Sequence, residues 1–166
     1  CLTNEVKGGF STLVDGFAVA EFLRKNHKDL FKILTKTKVR FRFVDKTIIL
    51  ENWGELIELD ENNKVKQIRY STRLDYVPAL DKKELEKFYE ARKLIASLYA
   101  SSKFEIKFRL EKGDLLMMDN HRLLHGRTSY DVSEGKRYLK GCYIDHDSTE
   151  GKLRHLERKF GLKWKK

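Results

Sequence analysis

The amino-acid sequence predicts an α+β chain that is mainly β, with mostly antiparallel strands. Residues 39–43 (Val-Arg-Phe-Arg-Phe) and 104–108 (Phe-Glu-Ile-Lys-Phe) alternate between apolar and polar side chains, which is typical of strands with one buried face. Between these strands, the D-x-x-E pattern from Asp81 to Glu84 forms a capping box, which marks the start of a long helix. Helices inserted among short strands and turns indicate an α+β domain.

The first eighty residues contain both helix and strand signals. A glycine turn at residues 8–9 leads into a short strand, and Asp15 is expected to cap a helix that ends near residue 25. The other expected elements are a helix at 28–34, strands at 39–43, 48–51, 56–59 and 65–70, and a hairpin turn at 60–63. Trp53 is expected in the core, although a place in a pocket wall stays open.

The remaining residues begin with a loop at 71–80 and a helix at about 81–100. The helix carries an apolar stripe that is typical of core packing, formed by Leu85, Phe88, Tyr89, Arg92, Ile95, Ala96 and Tyr99. The strand at 104–108 is followed by a turn at 112–114, an apolar run at 115–118, a strand-like run at 138–144 and a closing helix at about 148–160.

Charge and cysteine content exclude few functions. The net charge is +10, but the basic residues are interleaved with 25 acidic ones and accompany no nucleic-acid-binding pattern. The densest basic cluster, 154–166, lies at the C-terminal end, where tails are commonly mobile. Two cysteines form no disulfide framework, and no run approaches the roughly 20 apolar residues of a membrane span. We therefore expect a soluble, cytoplasmic chain with no nucleic-acid or membrane partner.

The segment 111–147 contains the residues best suited to chemistry. His121 and His125 precede Arg127, and Arg137 begins the next strand-like run. A neutral imidazole can bind a divalent metal, and an arginine can bind a carboxylate through two hydrogen bonds. Two strands can bring such side chains into one cavity, so the segment predicts a metal together with an anionic co-substrate.

Two strings within this segment resemble a known family. Asp-Asn-His-Arg-Leu-Leu-His-Gly-Arg at 119–127 and Arg-Tyr-Leu-Lys-Gly-Cys-Tyr at 137–143 are similar to the C-terminal half of γ-butyrobetaine hydroxylases and trimethyllysine dioxygenases. These enzymes belong to the taurine dioxygenase (TauD/TfdA) family, and the resemblance extends from about residue 8 to residue 156. It implies a jelly-roll double-stranded β-helix of the clavaminate synthase type and an Fe(II)- and 2-oxoglutarate-dependent dioxygenase.

The resemblance also implies roles for particular residues. His125 matches the distal iron ligand, and Arg137 matches the arginine that binds the distal carboxylate of 2-oxoglutarate. Ser11 matches a hydroxyl that helps to hold 2-oxoglutarate, although an ordinary hydroxyl at a strand start stays open. Arg127 is expected to support the same anion or to pair with Asp131. His121 is expected to be a neighbour of the site rather than a ligand, and the family residues that match His146 are not ligands. Asp119 and Asn120 are expected to help to orient the site.

The substrate is less well defined by the resemblance. Tyr143 matches an aromatic residue of a trimethylammonium pocket, which binds by cation–π attraction, although a core role stays open. Ser71 stands where the family has a substrate-binding asparagine. The first expectation is a γ-butyrobetaine-like substrate in carnitine biosynthesis. The alternatives are trimethyllysine, another small amine or carboxylate, or a non-catalytic β-helix binding domain.

The resemblance implies Fe(II), 2-oxoglutarate and O2 as cofactors and co-substrates, with ascorbate as a further candidate. It implies a small-molecule substrate and a homodimer of the full-length protein. The family's other two iron ligands form an H-x-D motif on an earlier strand. The one H-x-D string of this sequence, His27-Lys28-Asp29, lies at a predicted helix start instead, and the sequence begins with Cys rather than Met. Residues 1–166 are therefore expected to be the C-terminal portion of one catalytic domain, incomplete at its N-terminus and inactive alone.

Overall fold

The computed structural model describes residues 1–162, which form ten short strands and four helices. The strands are β1 (Thr3–Asn4), β2 (Ser11–Asp15), β3 (Lys38–Val44), β4 (Ile49–Glu55), β5 (Ile57–Leu59), β6 (Val65–Ile68), β7 (Asp75–Tyr76), β8 (Glu105–Phe108), β9 (Leu123–Arg127) and β10 (Arg137–Tyr138). The helices are α1 (Gly16–Asn26), α2 (Lys28–Leu34), α3 (Lys82–Tyr99) and α4 (His146–Phe160), and a 3₁₀ turn occupies Val132–Glu134.

The strands of the described region pair in four antiparallel sheets. Strand β2 lies at the centre of the sheet β8–β2–β9, and β3 lies at the centre of β4–β3–β7. Strands β5 and β6 form the predicted hairpin, and β1 pairs with β10. The mixed class with antiparallel strands is therefore confirmed, whereas a closed double-stranded β-helix stays a prediction.

The apolar core combines α1, α2 and α3 with strands β2, β3, β5 and β6. Asp15 caps α1 as predicted, because its Oδ1 accepts hydrogen bonds from the backbone N–H groups of Phe17 (3.0 Å) and Ala18 (3.3 Å). Asp81 caps α3 in the same way, accepting from the N–H of Glu84 at 2.9 Å. The fully buried core side chains are Val19, Ala20, Leu23, Leu34, Val39, Leu56, Ile57, Phe88 and Ala91.

Two apolar runs of the predicted site segment are more exposed than expected. The run at 115–118 forms no strand, and Leu115 is 90% exposed and Met117 86% exposed. The run at 138–144 is paired only at its first residue, in β10, and Tyr143 is 86% exposed. An apolar run becomes a strand where a neighbouring strand satisfies its backbone N–H and C=O groups. Within the described residues, 115–118 and 139–144 have no such neighbour.

Strand β4 also departs from the prediction. Trp53 is 51% exposed rather than in the core, because β4 is an edge strand whose one buried residue is Gly54. Ile49 and Leu50 on the same strand are likewise exposed. The loop predicted at 71–80 contains β7, which pairs with the opposite edge of β3.

Helix α4 begins at His146, two residues before the predicted start, and none of its residues is buried. Its apolar residues Leu153 and Phe160 are 47% and 63% exposed. The basic cluster predicted at 154–166 begins within α4, and residues 163–166 lie outside the described residues. No helix of residues 1–162 is both long enough and apolar enough to cross a membrane.

Candidate functional site

Strand β9 carries the histidine predicted to bind iron. It pairs antiparallel with β2, so that His125 lies opposite Leu13 and Arg127 lies opposite Ser11. Because side chains alternate along a strand, His125 and Arg127 belong to the same face of β9. Ser11 is buried in this sheet, with 8% of its surface exposed, and it also lies opposite Phe108 of β8. The sheet therefore places three predicted site residues next to one another.

The turn that precedes β9 is fixed to the rest of the fold at three points. The N–H of Gly16 donates to the carbonyl oxygen of Arg122 at 3.0 Å, and the N–H of Ile68 donates to that of His121 at 2.8 Å. The Arg122 guanidinium also binds the carboxylate of Asp15, with Nη2 2.6 Å from Oδ2. These hydrogen bonds from Arg122 hold the pKa of the Asp15 carboxyl below its usual range. The start of β9 is thus anchored to α1 and β6.

His125 faces a cleft of about 450 Å³ that contains both aromatic and amide side chains. Tyr143 lies at this cleft, so the structure brings together the predicted iron ligand and the predicted trimethylammonium contact. The other lining residues are Phe41, Asn52, Gln67, Ile68, Arg69, Tyr70, Asn120, Leu123 and Leu124. A larger surface groove of about 860 Å³, between the α1–α2 corner and α3, is lined by none of the predicted site residues.

Arg127 and Arg137 meet at one aromatic ring. The guanidinium carbon of Arg127 lies 4.8 Å from the ring centroid of Tyr130, and that of Arg137 lies 5.4 Å from it. Gly9, at φ +61°, allows this approach, because a Cβ there would lie 3.2 Å from Cδ and Nε of Arg137. The two arginines expected to hold an anion are therefore neighbours. Arg137 is not among the residues that line the His125 cleft.

The Arg137 side chain has an unsatisfied donor. Its Nε is buried and has no hydrogen-bond partner among the described residues. Arg24, Arg42, Arg69 and Arg92 also have buried guanidinium nitrogens, and each of these side chains lies within 4 Å of a carboxylate oxygen. Among residues 1–162, Arg137 shares with Arg40 a buried Nε and no ion pair. A buried, unpartnered guanidinium N–H is costly, so this position is suited to an external anion.

Ser71 has a structural role of its own. Its Oγ accepts hydrogen bonds from the backbone N–H groups of Arg73 (3.2 Å) and Leu74 (3.1 Å), which shapes the loop before β7. The neighbouring Tyr70 lines the His125 cleft instead. A substrate contact by Ser71 stays a prediction.

The sequence analysis missed two groupings at this end of the molecule. Tyr130 contacts both arginines, and nothing in the local sequence distinguishes it from the other tyrosines. Asp119, His121 and His146 also converge, although the sequence analysis assigned none of them as a metal ligand. Within residues 1–162 these three form a group of potential metal-ligating side chains, and His125 belongs to no such group of three.

Comparison with known proteins identifies the class. The chain belongs to the taurine catabolism dioxygenase TauD, TfdA family, whose model matches residues 1–143. It is 34% identical over 158 residues to gamma-butyrobetaine dioxygenase of Pseudomonas sp. (strain AK-1), covering 95% of this chain and 41% of that protein. It is likewise 34% identical over 164 residues to the Homo sapiens gamma-butyrobetaine dioxygenase, covering 96% of this chain and 42% of the relative.

A trimethyllysine dioxygenase of Meyerozyma guilliermondii is 32% identical over 160 residues, covering 93% of this chain and 39% of that protein. The chain thus spans about two fifths of the length of these curated relatives. Among solved structures, the non-heme iron oxygenase OrfP in complex with (3S)-hydroxy-L-Arg matches with a TM-score of 0.53 and 18% identity, over 79% of this chain and 38% of that one. The described residues therefore share part of the fold of a non-heme iron oxygenase.

Proposed function

We propose that this chain supplies part of the catalytic domain of an Fe(II)- and 2-oxoglutarate-dependent dioxygenase that hydroxylates a small, γ-butyrobetaine-like substrate. Family membership and the names of the relatives support the reaction class. The observation that carries the proposal is that Arg127 and Arg137 both contact the ring of Tyr130. Arg127 is the last residue of β9, the strand that carries His125.

The pair is suited to the carboxylate of 2-oxoglutarate. A guanidinium presents parallel N–H donors that match the two oxygens of a carboxylate, and charge-assisted hydrogen bonds of this kind are stronger than neutral ones. Tyr130 contacts both guanidinium groups and so restricts their orientation. The buried Nε of Arg137 gains a partner when the anion binds. Ser11, opposite Arg127 in the ladder, adds a hydroxyl to the same region.

The described residues supply only part of an iron site. In this class, two histidines and one carboxylate bind the metal on one face, and the bound iron and 2-oxoglutarate together supply the oxidising power that hydroxylates a C–H bond. His125 fits as one imidazole ligand, but no group of three potential ligands within residues 1–162 includes it. We therefore assign to His125 one coordination position and derive no reaction step through the metal.

The cleft at His125 is suited to a substrate with a quaternary ammonium group and a carboxylate. Phe41, Tyr70 and Tyr143 provide aromatic rings, which attract a cation that cannot donate strong hydrogen bonds. Asn52 and Asn120 add amide groups that can donate to a carboxylate. γ-Butyrobetaine carries both groups, and trimethyllysine, the alternative substrate, shares the trimethylammonium group.

Binding of 2-oxoglutarate to the 166-residue chain tests the arginine pair. We expect weak, metal-independent binding with a Kd of about 1 mM or higher, because the anion is held by one carboxylate only. Since charge-assisted hydrogen bonds contribute about 1.5–3 kcal/mol, Arg137→Ala should weaken binding roughly tenfold or more. Ligand-observed NMR titration would measure both Kd values.

Arg73→Ala is the matched control, because Arg73 is exposed and lies outside the cleft. We expect its Kd for 2-oxoglutarate to equal that of the unaltered chain. Equal weakening by Arg73→Ala and Arg137→Ala would show a non-specific charge effect. Absence of binding by the unaltered chain would contradict the assignment of the arginines to the co-substrate.

The 166-residue chain should not turn over by itself. One imidazole is a weak site for Fe(II), which ranks low in the divalent affinity series and needs the complete ligand set. Succinate release from 2-oxoglutarate, measured with iron present, would contradict this expectation.

A further inference from the structure

Asp119, His121 and His146 converge where the turn before β9 meets the first residue of α4. The rings of His121 and His146 are stacked, with centroids 3.9 Å apart and planes inclined by 12°. Nε2 of His146 lies 3.5 Å from Oδ1 of Asp119. Potential ligand atoms of the three side chains all lie within 4.8 Å of one another. Two imidazoles and one carboxylate, from segments 25 residues apart in sequence, therefore share one small region.

The turn that carries two of the three side chains is held in place before any ion binds. The carboxylate of Asp119 accepts a hydrogen bond from the N–H of His121 at 2.9 Å, and the carbonyl oxygen of Asp119 accepts one from the N–H of Leu123 at 2.8 Å. The carbonyl oxygen of His121 is bound by Ile68 of β6. Because the turn is fixed in this way, its two potential ligands lose little conformational freedom on binding an ion.

The third ligand lies on the more adaptable element. Nearly parallel rings direct their nitrogens side by side, so one ring must rotate for both to reach a single ion. The side chain of His146 is 45% exposed, and no residue of α4 is buried. His146 can therefore turn toward an ion without disturbing the core.

We propose that Asp119, His121 and His146 form a binding site for a late first-row divalent cation, namely zinc, cobalt or nickel. Imidazole and carboxylate ligands suit these ions, and three protein ligands leave a further position for water. The bound ion fastens the first turn of α4 to the turn before β9. This site uses none of the residues assigned above to iron or 2-oxoglutarate, and it does not depend on the proposed reaction.

Cobalt(II) is the probe for this site, because its visible absorption reports imidazole coordination. The 166-residue chain is titrated with Co2+, and Zn2+ then displaces the cobalt to give its own affinity. Loss of outer ligand partners alone commonly costs 10–100-fold in metal affinity, so removal of a direct ligand should cost at least about tenfold. We expect a loss of this size in His121→Ala, His146→Ala and Asp119→Asn.

His125→Ala and His155→Ala are the matched controls. His155 lies on α4 outside the cluster, and His125 is the histidine assigned to iron. Both variants should bind cobalt as the unaltered chain does. Circular dichroism checks folding, and His146→Ala keeps the test valid if His121→Ala unfolds, because His146 lies on a helix without buried residues.

The proposal also predicts a change that is independent of the metal spectrum. Amide hydrogen exchange in the first turn of α4 should slow when Zn2+ is added, and should not slow in His146→Ala. Absence of cobalt binding would overturn the proposal. Loss of binding in His125→Ala, with normal binding in His121→Ala and His146→Ala, would overturn it as well, because the ion would then occupy the position assigned to iron.

Discussion

Gly16→Ala tests how closely the start of α1 packs against the turn before β9. A Cβ at residue 16 would lie 2.9 Å from the carbonyl oxygen of Arg122 and 2.9 Å from Cγ1 of Ile68. The Arg122 oxygen cannot move away freely, because it accepts the hydrogen bond from the Gly16 N–H at 3.0 Å. The added methyl group therefore has to displace backbone rather than the end of a flexible side chain.

The expected effect is the difference between two terms. Overpacking of this kind costs about 1–3 kcal/mol. Replacing glycine by alanine in a helix returns up to about 1 kcal/mol. With an overpacking cost at the middle of its range, about 2 kcal/mol, and a return of up to about 1 kcal/mol, the net loss in free energy of unfolding is about 1–2 kcal/mol. For a chain of this size, each kcal/mol lowers Tm by roughly 2–4 °C, which predicts a fall of about 2–8 °C.

Thermal unfolding followed by circular dichroism measures this change. Gly151→Ala is the matched control, because residue 151 lies inside α4 and a Cβ there meets no atom within 4 Å. The control should increase helix content without lowering Tm. If Gly16→Ala unfolds at the same temperature as the unaltered chain or at a higher one, the close approach of α1 to the turn before β9 is wrong.

Three further substitutions have defined outcomes. Hydrogen bonds from Arg122 lower the pKa of Asp15, so the Asp15 carboxylate stabilises the fold above about pH 4, and this stabilisation is lost as the pH falls through the lowered pKa. Urea titrations should therefore show that Asp15→Asn is destabilising at pH 7 and progressively less so as the pH is lowered below about 4. Phe88→Ala, at a fully buried site, should cost about 3–5 kcal/mol in the same assay, whereas Tyr89→Ala, at a residue 52% exposed, should cost much less. Arg92→Met should lower the free energy of unfolding by about 3–5 kcal/mol, because it leaves the Asp75 carboxylate, only 3% exposed, without its partner. A decrease below about 1 kcal/mol would contradict a buried ion pair.

The elements that the sequence predicted well are those specified by local chemistry. The Asp15 and Asp81 caps place the starts of α1 and α3 correctly, and strict alternation at 39–43 identifies β3. The runs at 115–118 and 138–144 have comparable apolar content but lack this local specification. Whether such a run is a strand depends on a neighbour that is distant in sequence, which periodicity does not reveal.

The candidate site was likewise predictable from the sequence only in part. The motif resemblance supplied His125, Arg127, Arg137 and Tyr143, and the structure places these residues in two adjoining groups. The role of Tyr130 between the arginines was not predictable, because it depends on the path of the loop after β9. The stacking of His121 on His146 was missed for the same reason, since it depends on where α4 begins in space rather than on either local sequence.

The exposed edge strand β4 has a consequence for the behaviour of concentrated samples. Within the described residues β4 pairs only with β3, so its outer row of N–H and C=O groups can accept a strand from another molecule, and Ile49, Leu50 and Trp53 offer apolar contacts beside it. Mutual repulsion between chains of net charge +10 opposes this pairing. Added salt screens that repulsion, so the chain should self-associate more readily in high-salt buffers than in dilute ones.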